Sequence, residues 1–319
     1  MKKIAVLTSG GDAPGMNAAL RAAQRSSLYH NCRLFGVRNG FKGIVEGDFK
    51  PITRDDVSRI INRGGTILGS VRFDEFQEPS VQSRAASQLQ AFGIDGVLVV
   101  GGGGSFKGAR ALSRHGIPVI GIPATIDNDV PSTDYSIGFF TALNTAVESI
   151  DKLRDTSDSH QRCSVVEIMG RSCGDLTLYA GIASGSEIII TPETGFDEDE
   201  VIERVSRAFK RNKRHALVVI TEHMTSVSDL AKKIEEATDF ETRATVLGHI
   251  QRGGSPKAFD RIIATEMMHH AVHLLSKENG DKILGIRGNR VVEYDIEEAL
   301  NMSKPTRELQ YKMIAQLKD

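Results

Sequence analysis

The chain is poor in cysteine, close to neutral in sum, and without an apolar run of membrane-spanning length. Its 3 cysteines, Cys32, Cys163 and Cys173, are odd in number and unpatterned. That argues against a disulfide framework and for a reducing, cytoplasmic setting, and they read as small buried residues rather than nucleophiles. The 40 Lys and Arg against 41 Asp and Glu leave a net charge of −1. No polyanion-binding surface and no nucleic-acid partner are therefore expected, although local basic pockets stay open. No membrane association is expected either. The basic-then-apolar start at residues 1–7 stops at Thr8-Ser9-Gly10-Gly11, too soon for a secretory core, and reads as a first strand. Internal repeats, low-complexity tracts and a Pro-, Gly- or Ser-rich linker are missing. So are G-x-x-x-x-G-K-[ST] and G-x-G-x-x-G, which argues against P-loop ATPases and common dinucleotide-binding domains.

What is present is ordinary globular composition: 319 residues, 40% hydrophobic and 25% charged, enough for two domains or one large α/β unit. Strand patterns fall at 4–8, 34–38, 96–100, 119–122, 164–168, 187–190, 216–221 and 244–247. Helical patterns fall near 16–29, 105–115, 138–153, 174–184, 197–212, 226–237 and 256–277. Such alternation predicts a mostly parallel sheet with helices on both faces.

Two strands run into glycine loops and then helices: Ser9-Gly10-Gly11-Asp12-Ala13-Pro14-Gly15 and Gly101-Gly102-Gly103-Gly104-Ser105. Glycine lets backbone approach a phosphate, and a helix N-terminus adds free N–H groups and a positive dipole end. A nucleotide polyphosphate is the ligand class this suggests; a plain tight turn is the alternative. A third strand, at 117–122, leads into Pro123-Ala124-Thr125-Ile126-Asp127-Asn128-Asp129. Ligands bind outside the carboxyl ends of strands in open α/β sheets, so Asp127 and Asp129 are candidates for a general base and a divalent-metal ligand. An Asp/Asn turn bonded to its own backbone is the other reading. Arginines cluster near further strand ends, at His160-Gln161-Arg162, Met169-Gly170-Arg171 and His249-Ile250-Gln251-Arg252, with Glu222 nearby in sequence to another. Guanidinium forks of this kind suit a phosphorylated small substrate.

These segments resemble bacterial ATP-dependent 6-phosphofructokinases almost end to end. The likeness rests on LTSGGDAPGMNAA (7–19), INRGGT (61–66), TIDND (125–129), IGFFTAL (137–143), DKLRDTS (151–157), MGR (169–171), TEH (221–223) and VLGHIQRGGSP (246–256). The resemblance implies two Rossmann-like three-layer α/β domains with the chain crossing between them. The ATP-binding domain would hold 1–138 plus about 251–301 and the fructose 6-phosphate-binding domain 139–250 plus about 302–319. It further implies that Asp127 is the base for the sugar 1-hydroxyl, that Thr125 and Arg171 share the catalytic site, and that Asp129 assists Mg2+ bound with ATP. Gly11, Arg72, Phe73, Gly102, Gly103, Gly104 and Ser105 would line the ATP site. Met169, Gly170, Arg171, Glu222, His249 and Arg252 would bind the sugar phosphate, with Arg162 and Arg243 reaching the site of a neighbouring subunit in a homotetramer. An effector site for ADP or GDP and for phosphoenolpyruvate would use Arg21, Arg25, Arg54, Arg154, Gly185, Glu187, Arg211, Lys213 and His215. Arg21 and Arg25, four apart on one helix face, suit a diphosphate clamp.

The chain departs from that family's pattern at several positions. Gly103 stands where the family usually carries a magnesium-binding aspartate, which removes a hard oxygen ligand beside the metal. Ala124 replaces a usual glycine. Pyrophosphate-dependent relatives usually carry lysine at position 124 and aspartate at position 104, and neither is present, so ATP is the expected donor. Phe41 and Gln77 replace residues that border the nucleotide, and Arg59 adds charge near the effector site. A catalytically weakened paralogue acting as a metabolite-binding regulatory subunit, and a pyrophosphate-dependent kinase, are the alternative readings. His269 and His273 are four apart on a helix, but no glutamate follows the first as in a zincin; a polar helix face is expected. The acidic run Asp197-Glu198-Asp199-Glu200 is expected to cap a helix N-terminus.

Overall fold

A computed structural model describes residues 1–211, 213–238 and 240–317. They divide into two α/β units. The first holds Met1–Ile126, Val130–Thr141 and Arg252–Pro305; the second holds Asp127–Asp129, Ala142–Gln251 and the chain from Thr306 onward.

In the first unit, β1 (Lys3–Thr8), β2 (Arg33–Val37), β3 (Phe49–Pro51), β4 (Gly96–Gly101), β5 (Val119–Pro123), β10 (Lys282–Arg287) and β11 (Arg290–Asp295) form one sheet in the order β11-β10-β5-β4-β1-β2-β3. The inner strands are parallel, and β3 and β11 pair antiparallel at the edges. Strands buried on both faces read as continuous apolar runs, and β4 and β5 are buried at every residue. Helices α1 (Met16–Tyr29) and α9 (Ala258–Ser276) pack together; α2 (Phe41–Glu46), α3 (Pro79–Phe92), α4 (Gly103–Arg114) and α10 (Ile296–Asn301) bury a separate cluster that includes Phe41, Leu89, Phe106 and Ile296.

In the second unit, β6 (Cys163–Ile168), β7 (Ile188–Ile190), β8 (Ala216–Thr221) and β9 (Thr242–Val246) form an all-parallel sheet ordered β7-β8-β6-β9. It carries α6 (Asp175–Ser184), α7 (Glu198–Lys210), α8 (Val227–Thr238) and the C-terminal α11 (Glu308–Gln316). Helix α5 (Phe139–His160) takes the chain from the first unit into the second.

The α/β class and the parallel sheets expected from the alternation are present. The expected domain limits differ from the observed units in one telling place. Residues 127–129 group with the second unit, because the Asn128 side-chain amide donates to Asp175 (2.8 Å) and the Cys173 thiol to the Asn128 carbonyl (3.9 Å). Lys318 and Asp319, included in the expected second domain, lie outside the described residues, as does Asn212 at the end of the helical pattern 197–212. The acidic run does cap α7: the Asp197 carboxylate accepts from Glu200 N at 3.1 Å. The three cysteines are buried and free, and burial pushes the Cys163 thiol up to about 12.

Four helices and three strands had no counterpart in the sequence reading: α2, α3, α10, α11, β3, β10 and β11. Some local signals for them existed. Pro79 opens α3 and Gly93 closes it in the left-handed region at φ 66, the usual Pro-start, Gly-stop asymmetry. Gly288 and Asn289, at φ 52 and 61, make the two-residue turn between β10 and β11, which needs positive φ at both central residues.

The start of α5 depends on a distant acid. Asp260 on α9 is fully buried. It accepts from Gly138 N (2.9 Å), Thr141 N (2.7 Å) and the Thr141 hydroxyl, so it satisfies donors that a helix N-terminus leaves open. Burial raises its pKa, against the pull of these hydrogen bonds. Asp260→Ala strands those N–H groups and is expected to cost about 3 kcal/mol, read as a lowered urea midpoint with an unchanged slope.

Candidate functional site

The first unit gathers glycine loops at the carboxyl ends of β1 and β4. Gly101 must lack a side chain, since a Cβ there would strike the Ser9 carbonyl and the Ser105 side chain. Gly103 begins α4, with Phe106 N closing the first turn onto the Gly102 carbonyl at 3.2 Å; the N–H groups of Gly103, Gly104 and Ser105 thus sit in the first turn, where no intrahelical acceptor exists. Around Gly103 and Gly104 no atom lies within 4 Å of where a Cβ would stand, whereas a Cβ on Gly102 would be 3.7 Å from Thr125 Cβ. Thr125 therefore flanks this loop. The Arg252 guanidinium lies over Gly11, in the space a Cβ would take, and Nη1 reaches the Asp12 carbonyl at 3.4 Å.

Buried Asn17, which sequence reading did not single out, braces the neighbouring loop. Its Nδ2 donates to the Arg63 and Gly64 carbonyls (both 3.1 Å), and its Oδ1 accepts from Ile67 N at 2.9 Å. Arg72 is exposed and Phe73 half-buried. Phe41, which replaces a residue that borders the nucleotide in the family, is a core residue: it packs on Phe76 at 4.5 Å between ring centroids and fills the space beside Gly108. Its benzyl ring has no polar atom to hold it at a wet boundary. Gln77 is exposed.

The second unit assembles a different set. Asp127 is 4% exposed in its side chain, and Oδ2 lies 3.7 Å from Arg171 Nε. Asp129, two residues on, is exposed. Beyond β6, Gly170 N and Arg171 N both donate to Glu222 Oε1, at 3.1 and 3.0 Å. This turn needs glycine: Gly170 has φ 151 and a Cβ would collide with the Cys173 carbonyl. Met169, Gly170, Arg171, Glu222 and Asp127 are thus held near one another through Glu222 and Arg171. His249 is exposed on the short 3-10 turn Gly248–Arg252 that follows β9. Glu167 on β6 is pushed above the usual carboxylate range by partial burial and by Glu222.

Arg162 and Arg243 do not join that set. Arg162 precedes β6 and Arg243 lies at the start of β9, the opposite end of the parallel strands from Met169–Arg171. Both bind Glu241, Arg162 at 2.7 Å and Arg243 more closely, and Arg162 is the main cause that holds the Glu241 carboxyl below its usual range.

The effector residues also fall in separate groups. In the first unit Arg25 is lowered by burial and by the charges of Arg54 and Arg21, and its buried Nε lacks a hydrogen-bond partner. Asp55 acts on Arg25 in the opposite direction, but less strongly than the two arginines. In the second unit Lys213 lies 3.7 Å from Glu187, whose other oxygen takes Leu217 N at 2.8 Å. His215 faces Asp158 at 3.3 Å and Arg154 faces Asp151 at 3.7 Å. Gly185 closes α6 at φ 62, and Arg211 caps α7. His269 bonds the Ser26 hydroxyl (3.0 Å) and, with His273, packs on His30. Among the described residues no group of three or more His, Cys, Asp or Glu is arranged to hold a metal.

One unit presents open N–H groups in the first turn of α4 and the other a buried carboxylate beside a guanidinium. Groups of these kinds are what a phosphotransferase uses, a class in which positioning and charge neutralisation do most of the catalysis. Residues 3–275 match the Phosphofructokinase family, and the chain belongs to that family. It is 53% identical, over 99% of both chains, to the ATP-dependent 6-phosphofructokinase of Vibrio vulnificus (strain YJ016). To that of Teredinibacter turnerae it is 54% identical over 96% of both. Among solved structures, the T-state phosphofructokinase of Pichia pastoris superposes with a TM-score of 0.89 at 32% identity, over 99% of this chain and 36% of that one; the chain spans about a third of that longer protein. A pyrophosphate-dependent phosphofructokinase from Nitrosospira multiformis shares the fold, with a TM-score of 0.88 at 20% identity.

Proposed function

We propose that this phosphofructokinase transfers the γ-phosphoryl group of ATP to the 1-hydroxyl of fructose 6-phosphate, giving fructose 1,6-bisphosphate and ADP in the cytoplasm. The observation that carries the reading is the buried Asp127 carboxylate held beside Arg171. Asp127 takes the proton as the 1-oxygen bonds to the γ-phosphorus and the bond from that phosphorus to the β-bridging oxygen breaks. Arg171, more than half exposed, faces the incoming phosphoryl charge. Glu222, Met169, Gly170, His249 and Arg252 hold the sugar phosphate. Gly11, Arg72, Phe73, Gly102, Gly103, Gly104 and Ser105 bind the nucleotide, with Thr125 between the two roles.

Magnesium suits the donor set. It takes one or two carboxylates and fills its remaining positions with phosphate oxygens and water, and exposed Asp129 offers one such carboxylate. The ion, when bound, neutralises phosphate charge. Gly103 withholds a second ligand, and this favours the weakened-paralogue reading as the alternative. Arg162 and Arg243, at the far strand ends, fit the role of donors to a neighbouring subunit's substrate in a homotetramer. The Arg21, Arg25 and Arg54 cluster, with Arg154, Gly185, Glu187, Arg211, Lys213 and His215, fits a regulatory site for a nucleoside diphosphate or phosphoenolpyruvate.

The test is a coupled assay with fructose 6-phosphate and either ATP or pyrophosphate across a magnesium titration. Turnover with ATP and not with pyrophosphate is expected. No turnover with either donor at saturating magnesium would overturn the catalytic reading.

A further inference from the structure

We propose that Asp175 and Arg307 are positioning residues for the catalytic turn, so that the C-terminal helix α11 sets the placement of Asp127. The proposal rests on the catalytic reading above and concerns a connection within the second unit.

Asn128, between the two acids, is fully buried and sits in the left-handed region at φ 52. Asparagine tolerates that conformation better than most side-chain-bearing residues, and here its side chain is also tied down. Asn128 Nδ2 donates to Asp175 Oδ2 at 2.8 Å, and Asp175, in the first turn of α6, is 3% exposed. The same carboxylate receives a two-pronged guanidinium: Arg307 Nη2 to Oδ2 at 2.8 Å and Arg307 Nε to Oδ1 at 3.2 Å. The Arg307 guanidinium also lies 5.8 Å over the Tyr179 ring on α6.

A carboxylate this buried stays charged only if it is paired. The Arg307 fork supplies such a partner to the carboxylate that accepts from Asn128. Arg307 in turn sits at the N-cap of α11, a helix with no buried residue of its own. Polar ties fasten that helix: Tyr311 Oη bonds the Thr191 hydroxyl at 2.7 Å and Glu193 at 3.4 Å, and Glu193 accepts from Gly174 N, just before α6, at 2.9 Å. Asp127 and Asp129 are thus set by a chain of hydrogen bonds that ends on the last helix.

The distinction to be drawn is between positioning and general support. Misplacing a reacting group by about 1 Å costs on the order of 10²-fold in rate, with binding little changed. Arg307→Ala, Arg307→Lys and Tyr311→Phe would be compared with the parent enzyme at matched folding, judged by thermal unfolding and near-UV circular dichroism. Arg307→Ala is expected to lower kcat roughly 10- to 100-fold with KM for both substrates within about threefold. Arg307→Lys, which keeps the charge but loses the fork, should fall between. The deciding variant is the double change in an Asp127→Ser background. If Arg307 acts through Asp127, adding Arg307→Ala leaves the residual rate unchanged.

Full kcat in folded Arg307→Ala overturns the proposal, as does an undiminished further loss in the Asp127→Ser background. Should Arg307→Ala not fold, Arg307→Lys carries the same comparison. A parent enzyme with no turnover would instead overturn the function reading, which separates the two failures.

Discussion

Asp127→Ser is expected to lower kcat by about 10²–10⁴-fold, the range a positioned base contributes, while fructose 6-phosphate binding survives. The serine keeps a small polar group in a site that is nearly closed to water and removes the carboxylate that would take the 1-hydroxyl proton. Arg171 loses its partner 3.7 Å away but is more than half exposed, so water can solvate it and the fold should not suffer. Glu222 still binds Gly170 N and Arg171 N, so the substrate turn keeps its shape. Steady-state kinetics with a calorimetric measurement of sugar-phosphate affinity checks this. Turnover within about tenfold of the parent would mean that Asp127 is not the base, since that loss lies below the contribution of a positioned base.

Gly103→Asp should improve the enzyme where magnesium is scarce. The magnesium concentration for half-maximal rate is expected to fall about 10- to 100-fold, the scale associated with lost partners in a metal's surroundings. The backbone accepts the change: nothing lies within 4 Å of the new Cβ, and φ at Gly103 is not in the region reserved for glycine. Position 103 is also the first residue of α4, where a negative side chain is favoured by the helix dipole by about 0.3–1 kcal/mol. The substitution therefore carries no structural penalty to confuse the readout. A magnesium titration of the rate at saturating ATP decides it. An unchanged midpoint would remove Gly103 as the reason to expect a weakened enzyme.

Much of the architecture was readable without coordinates. The central strands β4 and β5 are apolar and buried at every residue, and residues 216–221 and 16–29 were bounded as β8 and α1 are found. What escaped was peripheral or long-range. β3 has three residues and ends in proline, and in β11 the exposed charges Arg290, Glu293 and Asp295 do not alternate with the half-buried Val291, Val292 and Tyr294, so neither carries a strong periodic signal. Phe41 stood out only as a replacement for a residue that borders the nucleotide in the family; its packing on Phe76 and beside Gly108 places it in the core.

The sequence by itself determined the chemistry on offer: glycine loops where backbone must meet phosphate, paired acids after a strand, and arginines in number. These are local properties, written in residues a few positions apart, and they need only strand direction to become useful. The tertiary structure decided which of those groups share a site. It brought Arg162 and Arg243 together on Glu241. It capped α5 with an aspartate 119 residues from Thr141 in sequence, and tied Asn128 through Asp175 to an arginine 132 residues from that aspartate. Such contacts arise from burial, which forces each polar group taken out of water to find a partner wherever the fold brings one, and no local pattern records where that will be.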